Sequence, residues 1–531
     1  MARTGGRKGV VMLFTSLEFI GFLAVCVILY YLLPLKFQWY LLLAASLFFY
    51  ASLGRRRIVF ILFSCVTAWA AGLLLGRRHK AEKLAIAELL SPTREEKART
   101  RRRYLLQRRW ILAAFLSANL GLWFFFKFYG LAAEKIAVLP HFSLIVPVGI
   151  SFYTLQITGY LLDVYHKKVE PERSLLKTML FTTFFPQIIE GPISRFDQLA
   201  PQLCAPHAFE YDTFVLGLQR ILWGYFKKLV IADRFQIAVA TIFNNYTEYY
   251  GFEIAIGAIL YTIQLYADFS GGIDVALGVG ELFGIHLPEN FKRPFFSKSV
   301  SEFWRRWHIT LGTWLRDYIF YPVTLSKPLA KLGRFFSSHK LKWAAKWVPA
   351  YLSLLILWFC NGVWHGDGLQ YIAFGLYHGL LIMLGMSFEP LFRRAGGLLH
   401  LNYDSMSWRF VRVARTFLLV CLGELIFRAP GLSAAASMIR NLFSCFNPWV
   451  FTDGFLLTLG LDAKDFVVGI LAVLLLLGVS LASRKGEVRR WVLSRELPLR
   501  WGILLAGIVA VVLFGVYGPD YDPTPFIYFQ F

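Results

Sequence analysis

Two histidine-bearing segments hold the residues best suited to chemistry. The first is Ser301-Glu302-Phe303-Trp304-Arg305-Arg306-Trp307-His308-Ile309-Thr310-Leu311-Gly312-Thr313-Trp314-Leu315-Arg316-Asp317-Tyr318. The second is Asn361-Gly362-Val363-Trp364-His365-Gly366-Asp367-Gly368, which closes an apolar run from Val348. An imidazole has an unperturbed pKa of about 6.5, so either histidine can take or give a proton near neutrality. Glycines on both sides of Trp364-His365 allow unusual backbone and the close approach of a ligand. About 16 residues of helix before His365 reach about 25 Å, which puts this ring within or near the outer edge of a hydrocarbon layer. A third histidine, His378, lies in Gly375-Leu376-Tyr377-His378-Gly379.

Each of these has a plainer reading. At 100° per residue, Trp304, Trp307, Leu311, Trp314, Leu315 and Tyr318 share one stripe, with Glu302, Arg305, Arg306, Thr313, Arg316 and Asp317 opposite. That pattern predicts one amphipathic helix at the membrane interface, with His308 at the edge of the stripe beside Arg305. His365 can be a satisfied histidine on a turn, and His378 can cap helix packing. Asp163 and Asp268, the latter in a probable break before Gly271-Gly272, lie in apolar surroundings; either can orient a histidine, but capping a helix is the expected role. Three patterns mislead. His400-Leu-Asn-Tyr-Asp404 has an HxxxD spacing without a transferase domain around it. Gly278-Val-Gly280-Glu-Leu-Phe-Gly284 has one residue too many for a dinucleotide loop and reads better as close helix packing. The cysteines Cys26, Cys65, Cys204, Cys360, Cys421 and Cys445 form no CxxC pair, so buried thiols are expected rather than disulfides or a metal site.

The elements that must position these residues are membrane helices. The chain has 531 residues, 57% of them hydrophobic and 17% charged, against about 45–50% and about 25% for a soluble domain. That excludes an ordinary cytosolic enzyme, a disordered chain and a disulfide scaffold. Expected spans are 10–34, 37–54, 57–76, 110–128, 143–164, 213–232, 252–270, 347–364, 369–388, 411–428, 465–483 and 501–518. The first is read as a span and not as a cleaved signal peptide, because it is long and no small-residue cleavage site follows. No internal repeat is visible. Regions 174–200 and 271–320 are broken by Pro and Gly and hold charges; such backbone survives at membrane depth only when buried in protein or lining a wet cavity.

The net charge of +23 sits between apolar runs, so basic segments facing the cytoplasm and anionic lipid explain it, and nucleic acid is not an expected partner. Segment 77–109 carries 12 Lys/Arg against 4 Glu, and 323–346 carries 6 with no acid. Segment 484–500 carries 6 against 2, and 389–412 adds Arg393, Arg394, Arg409 and Arg412. These are expected on the cytoplasmic side, with the C-terminus outside. The whole of 1–531 is expected to form one membrane-embedded domain: N-terminal spans over 1–140 with the basic loop 77–109, a core over 141–390, and C-terminal spans over 391–531.

Four segments together resemble the membrane-bound O-acyltransferase family. They are Phe185-Pro186-Gln187-Ile188-Ile189-Glu190-Gly191-Pro192-Ile193-Ser194-Arg195-Phe196; Asn290-Phe291-Lys292-Arg293-Pro294-Phe295 leading into Ser301–His308; Asn361–Gly366; and Pro525-Phe526-Ile527-Tyr528-Phe529-Gln530-Phe531. Within the family the chain looks most like the branch of alginate O-acetyltransferase membrane subunits, and more distantly like the D-alanyl transferases of teichoic acids. The resemblance implies an all-α bundle of about 11–13 membrane helices, with re-entrant or interfacial helices and a central tunnel. It implies transfer of an acyl group, in this branch acetyl, to a hydroxyl. His365 and His308 match the family's important histidines, and Asn361 matches a polar neighbour. His365 is then the expected general base, with His308, Trp304, Arg305, Asn361, Trp364 and His378 as companions in catalysis or substrate binding.

No bound cofactor or metal is expected. The donor would be acetyl-CoA or a carrier-protein thioester arriving from the cytoplasmic side. The acceptor would be a polysaccharide or an extracytoplasmic acetyltransferase, and the location a multi-pass place in the cell membrane. The bottom-up topology puts His308 near the cytoplasmic face and His365 toward the outside, joined by a passage. A transporter or flippase working without chemistry, or a scaffold for an extracellular acetyltransferase, would also use a charged, broken centre.

Overall fold

The computed structural model describes residues 12–89, 93–136, 138–140, 146–484 and 486–517. The C-terminal Pro525–Phe531 segment and the basic residues Arg3, Arg7 and Lys8 lie outside them. Among the described residues every regular element is helical, and the described part of each expected span overlaps a helix. Among the described residues, seven helices are long and apolar enough to cross a membrane: 55–87, 94–135, 252–282, 342–365, 369–398, 463–482 and 497–514. Shorter helices such as Leu17–Leu32, Gln38–Ser52 and Ile150–Tyr165 fill out the bundle. The chain divides into two compact units, one of residues 1–218 with 276–288 and one of 219–275 with 289–531.

In the first unit, Phe19 and Phe22 of Leu17–Leu32 meet Phe49 of Gln38–Ser52 at 5.8 and 6.0 Å between ring centroids, and Phe185 joins Phe22 at 5.4 Å. Stacked and edge-to-face aromatic pairs of this kind contribute about 0.5–1.5 kcal/mol beyond their buried area. The basic segment 77–109 is not an open loop. Helix Ile58–Ala87 runs into it from one side and Arg94–Lys135 leaves it on the other. Lys, Arg and Glu are good helix formers. A capping box also starts the second helix: Thr93 Oγ1 accepts from Glu96 N at 3.2 Å, and Glu96 Oε2 accepts from Thr93 N at 2.9 Å. Buried Arg108 pairs with buried Glu82 across the two helices. Asp163 is ion-paired with Lys168 and Arg195, at 3.6 and 3.9 Å.

In the second unit, the chain from Gln219 passes through a wide π-turn, Phe226–Ala232, before Asp233–Asn244. The wide turn directs both Lys227 and Lys228 inward. Lys227 reaches Asp274 at 2.6 Å and Ser270 at 2.8 Å; Lys228 reaches Asp233 at 2.9 Å and also Asp268. The partners come from helix Phe252–Leu282, which runs unbroken through Asp268. The expected break and cap are therefore absent: Asp268 faces a cation inside the helix, and Gly271 there lets the backbone of Gly224 approach closely. Val230, Ile231 and Phe235 pack with Leu461, Leu476 and Val511 of the C-terminal part. Arg234 ties the same region down through Asp465 and the carbonyl of Phe514, both at 2.6 Å.

The segment Ser301–Tyr318 is not one helix. Val300–Trp304 ends after a short turn and Ile309–Leu315 begins anew, with His308 at φ 46° between them. A left-handed conformation is strained for a residue with a Cβ. The loop before it holds it there. Lys292 N donates to Arg306 O at 2.9 Å and Ile309 N to Asn290 O at 3.0 Å, while Asn290 Oδ1 accepts from Thr310 N and Thr310 Oγ1, both at 3.0 Å. An unbroken helix would need the N–H groups of Ile309 and Thr310 and the carbonyl of Arg306 for its own ladder. Periodicity over the segment could not register this, because the competing acceptors lie outside it.

Candidate active site

The site is assembled by three helices and the broken segment of the second unit. Lys342–His365 and Leu369–Leu398 form an antiparallel hairpin whose crossing depends on missing side chains. A Cβ on Gly362 would lie 2.5 Å from Tyr371 O, and one on Gly375 would collide with Trp358 O. This closeness stacks the end of the first helix, Asn361 to His365, against Phe374 and His378 of the second. Asn361 and His365 are four residues apart and therefore share a face; they are 2% and 4% exposed. The His365 ring packs on Trp364, Phe427 and Phe374, with centroids at 4.9, 5.3 and 5.9 Å.

His378, one turn beyond Phe374, is fully buried. It touches Phe374 at 4.8 Å and Trp304 at 5.0 Å, and Trp304 in turn packs on Trp358 at 4.8 Å. Helix Met406–Arg428 closes the cluster: Gly423 lies against His378, and Phe427 against His365. Glu424, between Gly423 and Phe427 in sequence, is 2% exposed.

His308 meets the cluster from the other side. Its ring packs on Phe269 at 4.8 Å and on Trp364 at 5.7 Å, and its Nδ1 is 3.3 Å from Asn290 Oδ1. His308 and His365 are thus neighbours of a single indole. They are not separated by the thickness of a membrane; one indole, Trp364, lies against both rings. Local span lengths suggested the separation; the break at His308, which turns its ring inward, removes it.

Of the residues singled out from the sequence, His308, Trp304, Asn361, Trp364, His365 and His378 come together. Arg305 does not join them: its side chain is exposed and its Nη1 donates to Ser301 Oγ at 3.1 Å. Two members were missed. Asn290 appeared only as part of a longer motif, although a clamp 18 residues before His308 is its evident role. Glu424 was overlooked although it is the single acid in the run Phe417-Leu418-Leu419-Val420-Cys421-Leu422-Gly423-Glu424-Leu425-Ile426-Phe427; an ionisable residue inside a span is a functional candidate by default.

Several buried polar atoms of this cluster have no hydrogen-bond partner among the described residues: Trp304 Nε1, Asn361 Oδ1, both ring nitrogens of His378, Glu424 Oε2 and Asn290 Nδ2. Buried polar groups in proteins are almost always satisfied, since each orphan costs about 1–3 kcal/mol. Donors and acceptors spread among the three histidines suit a place where a polar substrate is held. The set comprises a candidate base, an amide acceptor and an indole donor, within aromatic walls that keep water out. It can strip a proton from a hydroxyl and steady charge on a carbonyl oxygen.

Comparison with known proteins places the chain among acyltransferases. The family described as MBOAT, membrane-bound O-acyltransferase family, matches residues 170–338. The chain is 34% identical over 457 residues to the probable alginate O-acetylase of Pseudomonas putida, covering 83% of this chain and 82% of that protein. It is 30% identical to the peptidoglycan O-acetyltransferase of Helicobacter pylori, over 63% of this chain and 65% of the relative. It is 31% identical to the teichoic acid D-alanyltransferase of Bacillus subtilis, over 54% of this chain and 70% of the relative. The helices, the buried histidine cluster and these similarities lead to one conclusion: the chain belongs to the membrane-bound O-acyltransferase family and is an O-acyltransferase.

Proposed function

We propose that the protein transfers an acetyl group to a hydroxyl of a cell-surface polysaccharide, or of a partner protein that passes it on, with His365 as general base. The reading is supported most directly by the burial of His365 beside Asn361, among the unpartnered polar atoms of Trp304, His378 and Glu424. The names of the relatives, which are acetyl or D-alanyl transferases, support it further, and as transferases they do not favour the transport reading.

In this reading a ring nitrogen of His365 takes the acceptor's O–H proton as that oxygen attacks the acyl carbonyl carbon. Donors of the cluster, Trp304 Nε1 first among them, face the negative charge that forms on the carbonyl oxygen. The C–S bond of a thioester donor then breaks, and the thiolate leaves with the proton held by the imidazolium. Acetyl-CoA or a carrier-protein thioester, entering from the cytoplasmic side of the plasma membrane, supplies the acetyl group. His308 holds one wall of the site through Trp364.

The test uses the full-length protein in vesicles with a labelled acetyl thioester and a polysaccharide acceptor. A positioned base contributes roughly 10²–10⁴-fold, so His365→Gln is expected to lower ester formation by at least about a hundredfold with Tm unchanged. Full ester formation by the variant would remove His365 from the mechanism. Loss of acetyl mass from surface glycans of cells lacking the protein identifies the acceptor.

A further inference from the structure

Away from the histidine cluster, the two helices that run into the basic segment enclose an open groove of about 620 Å³, lined by Glu82, Arg94, Lys97, Arg101, Arg102 and Arg108 over an apolar floor of Ala98 and Leu105. Positions 94, 97, 98, 101, 102, 105 and 108 recur every three or four residues, so they form one face of Arg94–Lys135, and Glu82 places that face toward Ile58–Ala87. Cations at a cytoplasmic helix end need only point to water. Here they are gathered into a concavity. The one acid of the lining is already taken, because buried Glu82 pairs with buried Arg108, whose Nη1 also lies 3.0 Å from His79 Nδ1. Arg94, Lys97, Arg101 and Arg102 have no ion pair among the described residues.

Like charges gathered around a cavity repel one another, and an anion in their midst relieves the repulsion. The volume lies in the range of small-molecule sites, about 300–1,000 Å³. The groove lies just before the apolar part of Arg94–Lys135, and Trp110, which follows Arg108 by two residues, is 76% exposed. Exposed tryptophans settle at the headgroup level of a bilayer. A phosphate at that level belongs to a lipid, whose glycerol and first methylenes would cover Ala98 and Leu105.

We infer that this groove is a binding site for a phosphate-bearing anion, specifically the headgroup of an anionic phospholipid. The site is separate from the acyl-transfer reading and does not depend on it.

The test titrates the full-length protein in neutral detergent with dihexanoyl phosphatidylglycerol, dihexanoyl phosphatidylcholine, inorganic phosphate and adenosine 3′,5′-bisphosphate. Calorimetry or native mass spectrometry reads the binding. A Lys or Arg at an anionic surface is worth roughly a factor of five in affinity. Arg101→Gln/Arg102→Gln is therefore expected to weaken phosphatidylglycerol binding roughly 25-fold. The control Arg55→Gln/Arg56→Gln, which changes exposed cations outside the groove, should leave it unchanged. Lys97→Gln alone should give a fivefold loss if the double variant folds poorly. Phosphatidylglycerol binding tighter than phosphatidylcholine, and weakened by salt, supports the proposal. Equal binding of the two lipids, or of phosphatidylglycerol to wild type and variants, overturns it. Tighter binding of the bisphosphate overturns the lipid assignment in favour of a nucleotide, and equal binding of inorganic phosphate does so in favour of a simple anion site.

Discussion

Gly423 and His378 fit together because residue 423 has no side chain: a Cβ there would collide with the Nε2 of the imidazole. The contact sets how deeply His378 lies between its hairpin and helix Met406–Arg428. Overpacking a tight interior costs about 1–3 kcal/mol. Gly423→Ala is expected to displace the ring, lower Tm and reduce acyl transfer together. A variant with wild-type Tm and transfer would show that the position of His378 is irrelevant to both.

Glu424 stands between the residues that touch His378 and His365. Glu424→Gln preserves shape and removes the carboxyl. If the carboxyl holds the substrate, losing that hydrogen bond costs about 1–3 kcal/mol, roughly five- to 150-fold in rate. The expected result is a fall of that size in kcat with little change in Tm. Unchanged transfer would assign the carboxyl a packing role.

Asn290 clamps the turn that carries His308. Asn290→Ala removes the acceptor of Thr310 N and Thr310 Oγ1, which costs about 1–3 kcal/mol when buried donors are left unpaired. Thr310→Val removes only one of these bonds and should cost less. The ordering of Tm, wild type above Thr310→Val above Asn290→Ala, checks the clamp; transfer should fall in the same order, because the His308 ring loses its place against Trp364.

Lys228 is buried between Asp233 and Asp268. Removing one partner of a buried ionic group leaves uncompensated charge and costs about 3–5 kcal/mol. Lys228→Met should sharply reduce the folded yield of the membrane fraction. The triple change Lys228→Met, Asp233→Asn, Asp268→Asn should recover much of it. Failure of the triple change to exceed the single one would mean that the ions do more than neutralise each other.

Much of the outcome was legible in the sequence. Hydropathy placed seven of the twelve expected spans on helices able to cross a membrane, because a helix in lipid must satisfy its own backbone and show apolar side chains outward, and both demands are written residue by residue. His365 and His308 stood out because imidazoles are rare in such runs. What only the tertiary structure decided involves groups far apart in the chain. The helix expected over Ser301–Tyr318 breaks because Asn290 takes the amide and hydroxyl of Thr310. Asp268 serves Lys228 instead of a helix end because a π-turn some 40 residues earlier, at Phe226–Ala232, turns that lysine inward. His365 and His378 come to one cluster because glycines at 362, 375 and 423 let their helices approach closely. Periodicity and composition describe one segment against its solvent; which segment becomes another's neighbour depends on packing that no single stretch contains.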